Sequence, residues 1–103
     1  MTVRTVQLSA IADSPFCVDV VDGQRVHDEI ATSLQKGEKV AVSFRGVDRL
    51  TTAFLNAAIG QLYNEFSEDT VRTSLTVTDA QRMHLDLLKR VTERAKSFFS
   101  QTR

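Results

Sequence analysis

The sequence predicts a single α/β domain over residues 1–103, with about four strands in a mixed sheet and three helices packed mainly on one face. Three observations lead there. Residues 39–44 (KVAVSF) alternate Val40, Val42 and Phe44 with the small Ala41 and Ser43, the pattern of a strand inside a sheet. Residues 52–66 and 80–99 instead space their apolar side chains at the helical period, as a helix with one buried face does. Finally, a chain of 103 residues without internal repeats supports one modest core.

Taken in order, residues 2–8 (TVRTVQL) are rich in β-branched side chains and read as a strand with Val6 and Leu8 on one face. Residues 9–15 are a connector ending in the only proline. Residues 16–21 set Phe16, Val18 and Val20 against Cys17, Asp19 and Val21, the period of a half-buried strand. The connector is too short for a crossover helix, so the first two strands are expected to pair antiparallel. Cys17 has no CxxC partner and no adjacent base, and reads as a small buried residue.

Asp22-Gly23 then opens a helix, with Asp22 as the candidate N-cap. Val26, Ile30 and Leu34 mark its apolar stripe, Ala31 flanks it, and Gly37 supplies a left-handed stop. His27 has Asp28 and Glu29 beside it, but neighbours on a helix diverge, and a solvated histidine is expected. After the strand at 39–44, Gly46 and Asp48 bend the chain, and Thr51 or Thr52 caps the next helix.

In that helix Phe54, Leu55, Ala58, Ile59, Leu62 and Phe66 form the core face, while Ala53, Ala57, Gly60 and Asn64 lie opposite. The small residues read in two ways: as a smooth surface for another backbone, or as helix-forming alanines with one tolerated glycine. Residues 67–70 are a polar turn, 71–77 a strand centred on Leu75 and Val77, and Asp79 a cap. The last helix, 80–99, buries Met83, Leu87, Leu88, Val91, Ala95, Phe98 and Phe99. His84 is half-buried in that stripe, and Arg82, Asp86, Lys89, Arg90 and Glu93 form a solvated face.

Several functions are disfavoured by composition. Thirteen basic residues balance thirteen acidic ones, and no basic stretch is interleaved with aromatics, so no nucleic-acid partner is expected. No apolar run approaches the ~18 residues of a membrane span, and the N-terminus lacks a signal-peptide pattern. A single cysteine suits a reducing compartment, and the chain reads as cytoplasmic and bacterial in style. No catalytic, phosphate-loop, dinucleotide or metal-ligand spacing is present, which predicts neither an enzyme nor a cofactor.

One constellation remains. Thr51 and Thr52 sit at a helix start, and Arg45 and Arg49 lie in the preceding turn. The group is suited to a phosphate attached to a threonine, to a free phosphate or nucleotide, or simply to capping the helix.

Residues 40–63, VAVSFRGVDRLTTAFLNAAIGQLY, resemble the core of the STAS-like family of unknown function: a strand ending in Phe, a Gly-Val turn, then two hydroxyl residues and Ala-Phe opening a helix. Gly23-Gln24-Arg25 and the helix ending at Gly37 resemble its upstream segment, so the likeness covers residues 22–66. That family is similar to STAS domains such as bacterial anti-sigma-factor antagonists. In those, an Asp-Ser pair opens the helix and the serine is phosphorylated by a histidine-kinase-like ATPase. The resemblance places Thr51 at the aspartate and Thr52 at the phosphoacceptor, although Thr51 has no carboxylate and Ala53-Phe54 replaces the following glycine.

What the resemblance implies is a non-catalytic regulatory domain that binds a protein partner, such as an ATPase of that type, through the turn at 45–50 and the helix. Asp48, Ala53, Ala57, Gly60 and Asn64 would face the partner. The alternatives are a sensor that binds an anion at the same helix start, and a purely structural subunit. A homo-oligomer is compatible with each.

Overall fold

The computed structural model describes residues 3–101. The expected start of the first strand at Thr2 lies outside them. Strand β1 (Val3–Gln7) leads into a short helix α1 (Leu8–Ala12), then β2 (Phe16–Cys17) and the long helix α2 (Val20–Gln35). Strand β3 (Lys39–Ser43) follows, and a turn leads to β4 (Arg49–Leu50). The next helical run comprises α3 (Thr52–Leu55), a π-helical segment (Asn56–Gly60) and α4 (Leu62–Glu65). Helix α5 (Glu68–Ser74), strand β5 (Leu75–Thr78) and helix α6 (Arg82–Gln101) complete the chain.

The main sheet has three strands in the order β1-β3-β5, all parallel, with β3 in the middle. Val42 is the partner of Val6 on one side and of Val77 on the other. Val40, Val42 and Phe44 are buried, as their alternation requires. The class is therefore α/β as expected, but the sheet is neither four-stranded nor mixed. A second, two-stranded parallel sheet pairs β2 with β4. Helix α2 packs on β1 and β3 and also on α3 and the π segment, whereas α6 packs on α3, the π segment and α4.

The antiparallel first pair is not formed. The segment between β1 and β2 coils into α1, whose C-cap Asp13 adopts a left-handed conformation at φ 53°. Strand β2 then breaks off after two residues because Asp19, not Asp22, is the N-cap. Its Oδ1 accepts a hydrogen bond from the Val21 N–H at 2.9 Å. That bond turns Val20 and Val21 into a first helical turn and leaves Asp22 inside it, where its charge still complements the helix dipole.

A similar cap overrides the strand expected at 71–77. The Ser67 hydroxyl accepts from Thr70 N–H, Glu68 and Asp69 occupy the first turn, and α5 buries Val71; only Leu75–Thr78 is extended. Asp79 caps nothing. Held at φ 58°, it accepts a 2.8 Å hydrogen bond from the buried Ser43 hydroxyl, tying the C-terminal ends of β3 and β5 together. The Gln81 N–H donates instead to His84 Nδ1, and the His84 ring stacks on Phe44 at 5.4 Å. His84 is thus buried as the core residue expected.

On α6, Val91 and Ala95 are buried, and Leu87, Leu88 and Phe99 are partly so. Met83 and Phe98, expected in the same stripe, are exposed. Cys17 is fully buried, and burial, reinforced by the Asp22 charge, pushes its thiol up to about 11. No helix among the described residues is long and apolar enough to cross a membrane.

Candidate functional site

The helical run that follows β4 is the centre of the candidate site. Thr51 is its N-cap, in extended conformation, with a side chain that accepts from the Phe54 N–H at 3.2 Å. Thr52, the first helical residue, is exposed. The two threonines therefore divide the roles left open between them: one hydroxyl closes the helix end and the other faces outward.

Further on, the Gln61 N–H donates to the Asn56 carbonyl at 3.2 Å, the five-residue reach of a π turn. The face assigned to a partner is split. Ala57 and Gly60 are buried by the protein's own helices, which corrects the expectation that both form an open surface. Ala57 lies against α2 at Gly23, where a β-carbon would stand 2.9 Å from the Ala57 methyl. Gly60 lies against α6, near Val91 and Ala95. Ala53 and Asn64 are exposed.

These small residues nevertheless have a consequence at the surface. Because the run is so low between α2 and α6, a groove of about 400 Å³ opens above it. Ala53, Ala57 and Gly60 line it together with Val20 of α2 and Ala95 and Phe98 of α6. Val20 and Phe98 are 52% and 59% exposed, so the groove has apolar walls open to solvent.

Next to it lies a cleft of about 240 Å³ lined by Thr52, Asn56, Arg90, Val91 and Arg94. Asn56 and Arg94 line both spaces. Neither Arg90 nor Arg94 forms an ion pair among the described residues. Arg45 and Arg49, expected at this point, do not line the cleft. Arg45 is exposed and held through its backbone carbonyl, which accepts from the Ser9 hydroxyl at 2.8 Å; Arg49 lies in β4 opposite Phe16. The cations beside Thr52 come from α6, 38 residues and more away in sequence. Arg90, on the expected solvated face, and Arg94, not singled out in the sequence, share one helix face through their four-residue spacing, but nothing local ties that face to a threonine so distant.

Asp48 belongs elsewhere. It lines another hollow with Met83, His84, Asp86 and Arg90, and does not line the groove. This divides the expected partner face between two surfaces.

Another polar cluster was missed altogether. His27, expected in solvent, is buried, with Nε2 2.7 Å from Glu65 Oε1 and Nδ1 3.0 Å from Asp28 Oδ1. The first contact joins α2 to α4. Hydrogen bonding from His27, with a second bond from Gln24, holds the Asp28 carboxyl below its ordinary value. No serine, threonine or cysteine nucleophile is among the hydrogen-bond partners of this cluster, and it reads as a fastening. Among the described residues no group of three His, Cys, Asp or Glu side chains is placed to hold a metal ion.

A family model described as a STAS-like domain of unknown function (DUF4325) matches residues 22–85. That span runs from the first turn of α2 to the first turn of α6 and includes the whole helical run. Comparison with curated proteins and with solved structures gave no match.

Proposed function

The chain belongs to the STAS-like domain family of unknown function, and on that premise we propose that it is a non-catalytic regulatory domain that binds a protein partner and is switched by phosphorylation of Thr52. The observation that carries the reading is the apolar groove beside an exposed threonine, with Arg94 and Asn56 bordering both. A phosphate on Thr52 adds close to two negative charges and three acceptor oxygens beside the guanidinium groups of Arg90 and Arg94, which form no ion pair among the described residues. Such a change at the groove's edge alters what can dock there. The partner that suits the resemblance to anti-sigma-factor antagonists is an ATPase of the histidine-kinase-like type, acting as kinase and as binding partner.

Ala53→Arg is the informative variant, because Ala53 is exposed and its replacement leaves the core intact. Cross-linking and affinity capture from the native cytosol are expected to recover a partner with the wild-type chain and lose it with Ala53→Arg. Identical capture by both chains overturns the groove as the binding face. Thr52→Asp is expected to change the affinity for that partner, and an unchanged affinity overturns the charge switch. An unchanged affinity with Thr52→Asp together with lost assembly in Ala53→Arg is the outcome of a purely structural subunit.

The two arginines lining the Thr52 cleft favour one further reading, a sensor that holds a free phosphate or nucleotide there. Titration with inorganic phosphate or a nucleoside triphosphate, followed by amide NMR, separates the two. Saturable shifts at Thr52, Asn56, Arg90 and Arg94 support the sensor, and their absence rejects it.

A further inference from the structure

We infer that the occupant of the groove is an acidic amphipathic helix, whose apolar ridge lies on the Ala53–Ala57–Gly60 floor and whose carboxylates meet Arg90 and Arg94. This rests on the groove being the binding face, and it names the partner's chemistry, which the preceding reading leaves open.

Shape gives the first argument. Ala53, Ala57 and Gly60 follow one another along a single helical run, so the floor extends about two turns, on the order of 10 Å. Of the three only Ala53 is exposed; Ala57 and Gly60, buried against α2 and α6, keep the floor low, and a ridge of side chains spaced three and four apart fits between the raised walls. Val20 and Phe98 are those walls. Both are more than half exposed, and a docked apolar ridge would cover them.

Charge gives the second. The chain as a whole is balanced, thirteen basic residues against thirteen acidic. The groove and the adjoining cleft are not: Arg94 lines both and Arg90 lines the cleft, and no Asp or Glu lines either, although Arg90 also borders the hollow that holds Asp48 and Asp86. Neither guanidinium is paired with a carboxylate among the described residues. Two guanidinium groups, one turn apart along α6, match carboxylates spaced one turn apart on a helix lying beside it. A basic helix is repelled at the same place, and an uncharged one leaves both arginines without partners.

The inference also gives the Thr52 switch its sign. A phosphate there competes for Arg90 and Arg94 and repels the carboxylates that would otherwise reach them, so phosphorylation releases the partner.

The test is selection from a displayed library of helical peptides of about 15 residues, apolar along one ridge and randomised among Glu, Lys and Gln on its flanks. Enriched peptides are expected to carry glutamates and to lose binding to Ala53→Arg. They are expected to bind the double variant Arg90→Glu/Arg94→Glu about tenfold or more weakly, since attraction at both positions becomes like-charge repulsion. Both arginines are exposed and form no ion pair among the described residues, so the double variant should fold, which an amide spectrum checks first.

Enrichment of lysine-rich or uncharged peptides, no enrichment, or binding indifferent to Ala53→Arg overturns the inference. So does a wild-type homodimer in sedimentation that Ala53→Arg dissociates, because a second copy then fills the groove. If the acidic preference fails while native capture still depends on Ala53, the interaction reading stands and only the partner's chemistry is wrong.

Discussion

Gly23 of α2 and Phe54 of α3 meet backbone to backbone: a β-carbon on Gly23 would stand 2.6 Å from the Phe54 carbonyl oxygen. That approach lets α2 lie on α3 and the π segment, and it sets the depth of the groove beside them. Gly23→Ala is expected to destabilise the protein by about 2 kcal/mol, because overpacking against a fixed carbonyl outweighs the roughly 1 kcal/mol that alanine gains over glycine inside a helix. Gly60→Ala is the control. Its β-carbon would meet nothing closer than 3.4 Å, so the propensity gain prevails and the variant should be as stable as wild type or more so. Urea midpoints for the two variants check both signs.

Cys17 offers a probe of opening. It is fully buried and its thiol is pushed up to about 11, so little thiolate exists at about pH 8 and none is accessible. A disulfide-exchange reagent is expected to react only as fast as the chain opens, with a rate that rises with urea. Rapid labelling of the folded protein in water would contradict this placement.

Asp28 links the α2–α4 fastening to pH. Its carboxyl is held below its ordinary value, chiefly by the hydrogen bond with His27. A group depressed in the folded state stabilises above its unfolded pKa, near 4, and that contribution disappears as pH falls through the lower folded value. Asp28→Asn should therefore lower stability at neutral pH and flatten this part of the acid limb. Urea midpoints measured from about pH 2 to 6 test the sign.

The fastening itself is open to mutation. His27 is buried and bridges to Glu65 at 2.7 Å. His27→Ala is expected to cost about 2–3 kcal/mol, from the lost packing and the lost charge-assisted bond. Glu65→Gln, which keeps an acceptor, should cost less. Hydrogen exchange in α4 should accelerate more in the first variant than in the second.

Asp79 combines a left-handed backbone at φ 58° with the bond it accepts from Ser43. Asp79→Ala loses the bond and keeps the strain, and is expected to cost about 2 kcal/mol. Asp79→Gly relieves the strain and should recover part of that loss. If alanine and glycine prove equal in thermal unfolding, the backbone conformation is not what matters there.

Much of this was legible from neighbouring residues. The alternation of Val40, Val42 and Phe44 marked the central strand, Gly37 marked the end of α2 at φ 77°, and the threonine pair marked the start of α3. The errors have local causes too. At 16–21 and 68–74, a single Asp or Ser side chain bonded to a backbone N–H two or three residues on, and that cap outweighed β-branched alternation. Asp79 resembled those caps but took a left-handed turn, with its carboxylate drawn to Ser43 on another strand.

The α/β class, the middle strand, the buried Cys17 and a threonine cap at 51 or 52 followed from the sequence by itself, since each depends on side-chain period or on a bond spanning a few residues. The parallel strand order, the burial of His27, Ala57 and Gly60, and the meeting of Thr52 with Arg90 and Arg94 were decided only in three dimensions. Those contacts join segments more than 30 residues apart (Gly60 to Val91, His27 to Glu65, Thr52 to Arg90), and what brings them together is strand pairing and helix-on-helix packing, which a local pattern does not encode.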